Sequence, residues 1–214
     1  MGGRADDIWR IAGELKAHAL GRRGPAVKGL PPLLAFTEPD RGLEPLVLAQ
    51  RLPPGAGLVL RLFGADDALE TARDVAATCR ARGVALLMGE DAGLAEACGA
   101  EGLHLPQRRV ADAPACRQAH PEWIITSAAH DEMGARMAGA AEVDAVVLSP
   151  VFPTRSASGR PPLGPAGFER LAELAGVPAY ALGGISADNA AELAQTSAVG
   201  LAAIDAVSDW LGRE

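Results

Sequence analysis

Eight short apolar runs, each followed by a helix-patterned stretch, limit how this chain can fold. The runs are LLAFTE (33–38), LVLRLF (58–63), ALLMGE (85–90), GLHLP (102–106), WIITSAA (123–129), DAVVLSPVF (144–152), AYALGG (179–184) and GLAAID (200–205). The intervening segments 43–52, 66–83, 92–99, a weaker 107–119, 130–141, 166–176, 186–195 and 206–212 read as helices. The plainest is DDALETARDVAATCRARG, acidic at its start, basic at its end and closed by Gly83. The apolar runs are too uniform for a sheet with one wet face. Strands of this kind, alternating with helices, pair in parallel and lie under those helices. Eight units in about 180 residues predict an α/β fold, a single (β/α)8 barrel over 31–214. Residues 1–30 then form an extra N-terminal helix and a linker outside it. A doubly wound open sheet is the alternative, although such sheets usually stop at about five or six strands.

The side chains available to this core are mostly aliphatic: 49% of residues are hydrophobic and only 4% aromatic. Alanine and glycine therefore let helices pack close to the sheet. A net charge of -7 excludes the nucleic-acid-binding class, which needs a basic stripe. The one locally basic stretch, GRRGPAVKG at 21–29, reads as a solvated linker. Cys79, Cys98 and Cys116 have neither a CxxC nor a metal-like spacing. An odd cysteine count and acids ahead of any apolar run predict a cytoplasmic protein without a secretory leader. No run approaches the roughly 18 apolar residues of a membrane span. Partners are thus expected among small molecules, and a homo-oligomer is compatible with the sequence.

A barrel places its site at the carboxyl ends of the strands. There the chain offers Thr37 and Glu38, Phe63, Gly89 and Glu90, His104 and Gln107, Ser127 and His130, Gly183 and Gly184, and Asp205. The sixth of these ends is unusual. SPVFPTRSASGRPPLG, residues 149–164, holds three Ser, one Thr, two Arg, four Pro and two Gly. Thr154, Ser156 and Ser158 could donate hydroxyls to an anion, and Arg155 and Arg160 could add charge; a polar surface loop is the plainer reading. Gly183 and Gly184 let a ligand approach the backbone, and Ser186 opens a helix whose N–H groups suit an anion. His130 could move protons at neutral pH, since imidazole titrates near 6.5, but a surface histidine at a helix start is as simple a reading. His104 reads as a hydrogen-bonded structural residue between strand and neighbouring helix. Glu90 and Asp91 could ligate Mg²⁺, although acids at a helix start also serve the helix dipole.

GAEGLHLPQ, DAVVLSPVFPTRSASGRPPLG, PAYALGGISADNAAEL and VGLAAIDAV resemble, in order and spacing, the thiamine phosphate synthase/TenI superfamily. The resemblance runs from about 33 to 208 and is most specific over 144–205. It implies a (β/α)8 barrel. It implies also one of two reactions. Synthases join a pyrimidine diphosphate to a thiazole phosphate with Mg²⁺ and release pyrophosphate. The TenI-like branch includes a tautomerase that aromatises a thiazole phosphate carboxylate by proton transfer and needs no metal or other cofactor.

Carried over position by position, the thiazole phosphate site falls on Thr154, Ser156, Gly183, Gly184 and Asp205, with Ser127, Arg61 and Arg155 around the substrate. The loop after strand six becomes a cover over the thiazole. Asp205 departs from the family, which usually has a small residue there, and a carboxylate beside a phosphate opposes binding. The synthase's diphosphate and metal site matches less well. Arg61, Leu62 and Phe63 stand for an Arg-Glu-Lys segment, Gly89 and Glu90 for Asn-Asp, and Arg109 for a second metal Asp; Pro106 replaces a Gly. SAAH resembles the segment that carries the tautomerase histidine, which gives His130 the catalytic role. The expected function is a TenI-like enzyme acting on thiazole phosphate. The alternatives are a thiamine phosphate synthase using Mg²⁺, with Glu90 as a remaining metal ligand, and a non-catalytic barrel that binds thiazole or thiamine phosphate.

Overall fold

Each strand is buried on both faces, and the sequence pattern makes that possible. In the computed structural model, residues 4–38, 44–62, 64, 66–154, 159–204 and 207 are described, with side chains from residue 7 onward. The strands are β1 (Leu33–Phe36), β2 (Gly57–Leu60), β3 (Ala85–Gly89), β4 (Gly102–Leu105), β5 (Ile124–Ala129), β6 (Ala145–Leu148), β7 (Ala179–Leu182) and β8 (Ala198–Ala203). They pair in parallel in chain order, and β8 closes on β1 with Ala203 opposite Ala35. The fold is a closed (β/α)8 barrel, not an open sheet.

Alternate residues of each strand serve two cores. Leu34, Phe36, Val59, Leu87, Val147 and Tyr180 fill the barrel interior. Their neighbours Leu33, Ala35, Leu58, Leu60, Leu86 and Met88 face the surrounding helices. The helices are α1 (Arg4–Arg23), α2 (Pro45–Arg51), α3 (Ala68–Arg82), α4 (Ala92–Cys98), α5 (Ala113–Ala119), α6 (Glu132–Ala140) and α7 (Gly164–Ala175). In α3, Ala72, Val75, Ala76 and Cys79 are buried, the spacing of one helical face. Gly83 then ends it with φ 67°, a left-handed turn that glycine adopts at little cost. Small residues set the closest approach: a Cβ on Gly139 of α6 would lie 2.1 Å from the Ala175 carbonyl of α7.

α1 closes the amino-terminal end. Ile8, Ile11, Ala12 and Leu15 join the outer core, and Ala19, Val27 and Leu30 reach the inner one. Beneath them the Tyr180 hydroxyl donates to the Pro31 carbonyl at 2.6 Å.

Two expected helices differ. Residues 107–119 form a 3-10 turn over Gln107–Asp112 and only then α5, with Pro114 in its first turn. Residues 186–195 form turns and a 3-10 helix, Ala190–Leu193, rather than an α-helix. Of the expected helix 206–212, only Val207 lies within the described residues.

Candidate active site

Where the inward-facing columns of the strands run out at the carboxyl end, they bring several of the sequence candidates together. β5 contributes Thr126 and then His130; β6 contributes Val147 and then Ser149; Arg61 follows β2, Gly89 ends β3, and His104 is the last inward residue of β4.

His130 is held from two sides. Its Nδ1 lies 3.0 Å from the Ser149 carbonyl and 3.0 Å from the Ser149 Oγ. A carbonyl can only accept, so Nδ1 carries a hydrogen, and in the neutral ring the lone pair is then on Nε2. The His130 backbone N–H donates to Gln107 Oε1 at 2.9 Å. Gln107 Nε2 donates to Asp131 at 3.2 Å, and Asp131 caps α6 by accepting from Gly134 N at 2.8 Å. The Gly134 N–H lowers the Asp131 pKa first; partial burial opposes it and the Gln107 amide adds to it. Arg160, expected to help an anion, lies 3.8 Å from Asp131.

Arg61 sits across the mouth. Its Nε donates to the Thr37 carbonyl at 2.8 Å and its Nη2 to Glu38 at 2.8 Å, while its guanidinium lies 5.6 Å from the Phe36 ring centre. Gly89 makes room for it: a Cβ there would lie 2.6 Å from Arg61 Cγ. His104 is buried as a structural residue, but it faces the barrel interior and not a helix. Its ring stands edge-on to Phe36, and its Nδ1 is 2.9 Å from Thr126 Oγ1. Burial, reinforced by the charge of Arg61, pushes its pKa down to about 3, so it is neutral at ordinary pH.

The phosphate candidates are placed in part. Gly183 and Gly184 have φ 98° and 67° and pack directly under the chain leaving β6. A Cβ on Gly184 would lie 2.3 Å from the Pro153 carbonyl. Phe152 N donates to the Gly183 carbonyl at 2.9 Å. Ser186 does not open a helix; its N–H donates to Asn189 Oδ1 at 2.8 Å, and Asn189 Nδ2 donates to the Gly184 carbonyl. Thr154 is exposed beside this turn. Phe63, Arg155, Ser156, Ser158 and Asp205 lie outside the described residues.

Two assignments meet obstacles. Ser127 is fully buried and alternates with the inward residues, so it faces the helix layer with Ile125 and Ala129; its Oγ donates to the Ala128 carbonyl at 3.1 Å. Glu90 does not present an open carboxylate. It pairs with Arg108, and its carbonyl accepts from Arg109 at 2.8 Å. Asp91 is the cap of α4, accepting from Leu94 N. Among the described residues, no three His, Cys, Asp or Glu side chains cluster to hold a metal. At the described positions where the family pattern puts Mg²⁺ ligands, Gly89 has no side chain, Glu90 is paired with Arg108, and Arg109 is a cation.

Sequence reasoning gave no role to Ser149 or Gln107, the two groups that hold His130. The available signal was positional: Ser149 follows β6 where His130 follows β5, and Gly134 four residues on leaves space for the Gln107 side chain.

A family model described as thiamine monophosphate synthase matches residues 47–207. The chain belongs to the thiamine phosphate synthase/TenI superfamily. It is 36% identical over 159 residues to a thiamine-phosphate synthase of Geobacillus kaustophilus, covering 72% of this chain and 68% of that one. It is 35% identical over 141 residues to a bifunctional thiamine biosynthesis protein of Symbiobacterium thermophilum, covering 65% of this chain but 29% of that protein. A thiamine-phosphate synthase of Leuconostoc citreum is 30% identical over 141 residues, with 65% of this chain and 66% of that one covered. The chain thus spans just under two thirds of that synthase's length and far less of the bifunctional protein. A solved thiamine phosphate pyrophosphorylase of Pyrococcus furiosus superposes with a TM-score of 0.72 at 23% identity, covering 87% of this chain and 89% of that one, and shares the fold. Among the described residues, no helix is long and apolar enough to cross a membrane.

Proposed function

We propose that the protein binds a thiazole phosphate in the barrel mouth and isomerises it by proton transfer, with His130 as the acid/base group. The observation that carries this reading is the 3.0 Å contact between His130 Nδ1 and the Ser149 carbonyl. With Nδ1 engaged there, our reading gives the proton transfer to Nε2. In a tautomerisation Nε2 takes a proton from one carbon of the non-aromatic thiazole. The ring double bonds shift, and the same nitrogen returns a proton to another carbon. No net proton, electron or leaving group is exchanged. We assign the phosphate to Gly183, Gly184 and Thr154, with Ser156 and Asp205 added by the family pattern, and give Arg61 and Arg155 to the rest of the substrate on that same pattern. Asp205 stands against an anion there unless Arg155 or Arg160 offsets it. The proposal needs no metal.

His130→Gln keeps a polar side chain but cannot cycle a proton. It should bind thiazole phosphate nearly normally and convert the thiazole phosphate carboxylate roughly 10²-fold more slowly or worse. Wild-type conversion by the variant would overturn the assignment.

A second reading, thiamine phosphate synthase, is favoured by the names of the curated relatives. It would use Mg²⁺ to take up charge on the leaving pyrophosphate. The donor set speaks against it: Gly89 has no side chain, and Glu90 is engaged by Arg108. Pyrophosphate release from a mixture of the pyrimidine diphosphate, thiazole phosphate and Mg²⁺ decides between the two. A thermal shift with thiazole phosphate but neither reaction would leave the non-catalytic binding barrel.

A further inference from the structure

We infer that Gln107 is a positioning residue: its amide fixes His130 at the strand–helix junction and thereby sets which ring nitrogen carries the proton. The inference rests on the acid/base role of His130, and it adds a residue to which neither the family pattern nor the strand-end position gives a function.

The argument starts from the backbone. His130 stands one residue beyond β5 and two before α6, where its N–H has left the sheet and not yet entered a helix. Gln107 Oε1 accepts that N–H at 2.9 Å. The other end of the same amide donates to Asp131, at 3.2 Å to Oδ1 and 3.4 Å to Oδ2. Gln107 therefore grips two consecutive residues, one by its backbone and one by its side chain. Asp131 is held in turn by Gly134 N at 2.8 Å. Both ends of the amide are used, so its orientation is fixed: a flipped amide would set two donors or two acceptors face to face.

The space for this grip is specific. A Cβ on Gly134 would lie 2.4 Å from Gln107 Cδ, 2.5 Å from Oε1 and 2.8 Å from Nε2. Gly134 is helical and has no positive φ, so the position calls for glycine on account of the amide packed against it and not for backbone reasons.

The link to chemistry is geometric. The His130 ring reaches the Ser149 carbonyl at 3.0 Å only if residue 130 keeps its place beside β6. Displacement of the ring by about 1 Å breaks the bond that selects the Nδ1–H tautomer, and misplacement on this scale can cost about 10²-fold in rate.

The test is the tautomer itself. In full-length protein labelled with 15N-histidine and free of ligand, long-range proton–nitrogen correlations at about pH 8 should give the Nδ1–H pattern for His130. Gln107→Met, similar in volume but without the amide, should give a mixed or Nε2–H pattern. Gln107→Glu, which keeps the acceptor for His130 N–H but sets its second oxygen against the Asp131 carboxylate, should fall between the wild type and Gln107→Met. Conversion of the thiazole phosphate carboxylate by Gln107→Met should fall about 10-fold or more in kcat, with KM changed by less than about threefold.

The double variant Gln107→Ala/Gly134→Ala refills the vacated space. It should recover most of any lost melting temperature but not the tautomer. If the single variant fails to fold, the double variant decides. A pure Nδ1–H pattern in the variants would overturn the inference and leave Gln107 a packing residue. A wild type that shifts tautomer with Gln107 but converts no thiazole would remove the proposed reaction and keep the positioning role.

Discussion

His104 ties a single side chain to the stability of the whole barrel. Burial holds it neutral, with its pKa pushed down to about 3, whereas a histidine in an unfolded chain titrates near 6.5. Above about pH 6.5 neither state is protonated there and the native state loses nothing. As the pH falls from there toward about 3, the unfolded chain takes up a proton that the fold refuses. Stability then drops by up to about 1.4 kcal/mol per pH unit from this group. His104→Gln removes the effect, so its urea midpoint should change less between pH 7 and pH 4 than the wild type's. Parallel changes would mean that the native barrel protonates His104 in place. The same residue marks a limit of reading a sequence. In GLHLP and WIITSAA no position is exposed, so period-two alternation leaves no trace in polarity. His104 and Ser127 could therefore be placed at strand ends 4 and 5 but not on a face. The structure turns His104 inward and Ser127 outward.

At the scale of elements, the strands were legible because apolar runs of four to six residues leave few other choices. The helices were legible where a face repeats, as with Phe168, Leu171, Ala172 and Ala175 in α7. SADNAAELAQ has helix-forming residues, yet the Asn189 side chain bonds Ser186 N and the Gly184 carbonyl and competes with helical turns. That competition is set by the β7 turn and is not visible in propensity. The two glycines of this turn were readable as a close approach, but the backbone that approaches includes the protein's own, from the segment after β6. Gly184→Ala tests what the turn does. Alanine must adopt φ 67° and place its Cβ against the Pro153 carbonyl, a backbone atom that cannot swing aside. The variant should lose about 1–3 kcal/mol in urea unfolding, the usual cost of such strain. It should also lose its thermal shift with thiazole phosphate. A stable variant with no thermal shift would assign the turn to the ligand alone, and an unstable variant with an intact shift would assign it to the fold alone.

For the whole molecule, the remaining question is whether α1 is an appendage to the barrel or part of it. The sequence separates residues 1–30 from the βα rhythm, because α1 precedes the first strand and pairs with none. Packing argues for one unit. Ile8, Ile11 and Leu15 are buried in the core that surrounds the strands, and Ala19 reaches the interior core. Burying three large aliphatic side chains is worth roughly 5–9 kcal/mol, at about 1.5–3 kcal/mol each. That is comparable with the whole stability of an ordinary domain, about 5–15 kcal/mol. The helix has little of its own to stand on: its exposed face carries Arg10 paired with Glu14, the kind of surface pair worth a few tenths of a kcal/mol. So α1 needs the barrel as much as the barrel needs α1. Heating should give one cooperative transition, followed equally by helix ellipticity and by tryptophan fluorescence. Leu15→Ala should lower its midpoint by several degrees, since deleting a buried leucine side chain costs about 2–5 kcal/mol. Removing residues 1–23 exposes the barrel's amino-terminal floor and should yield a chain that aggregates or unfolds at room temperature. A truncated barrel with an unchanged melting temperature would make α1 an appendage after all.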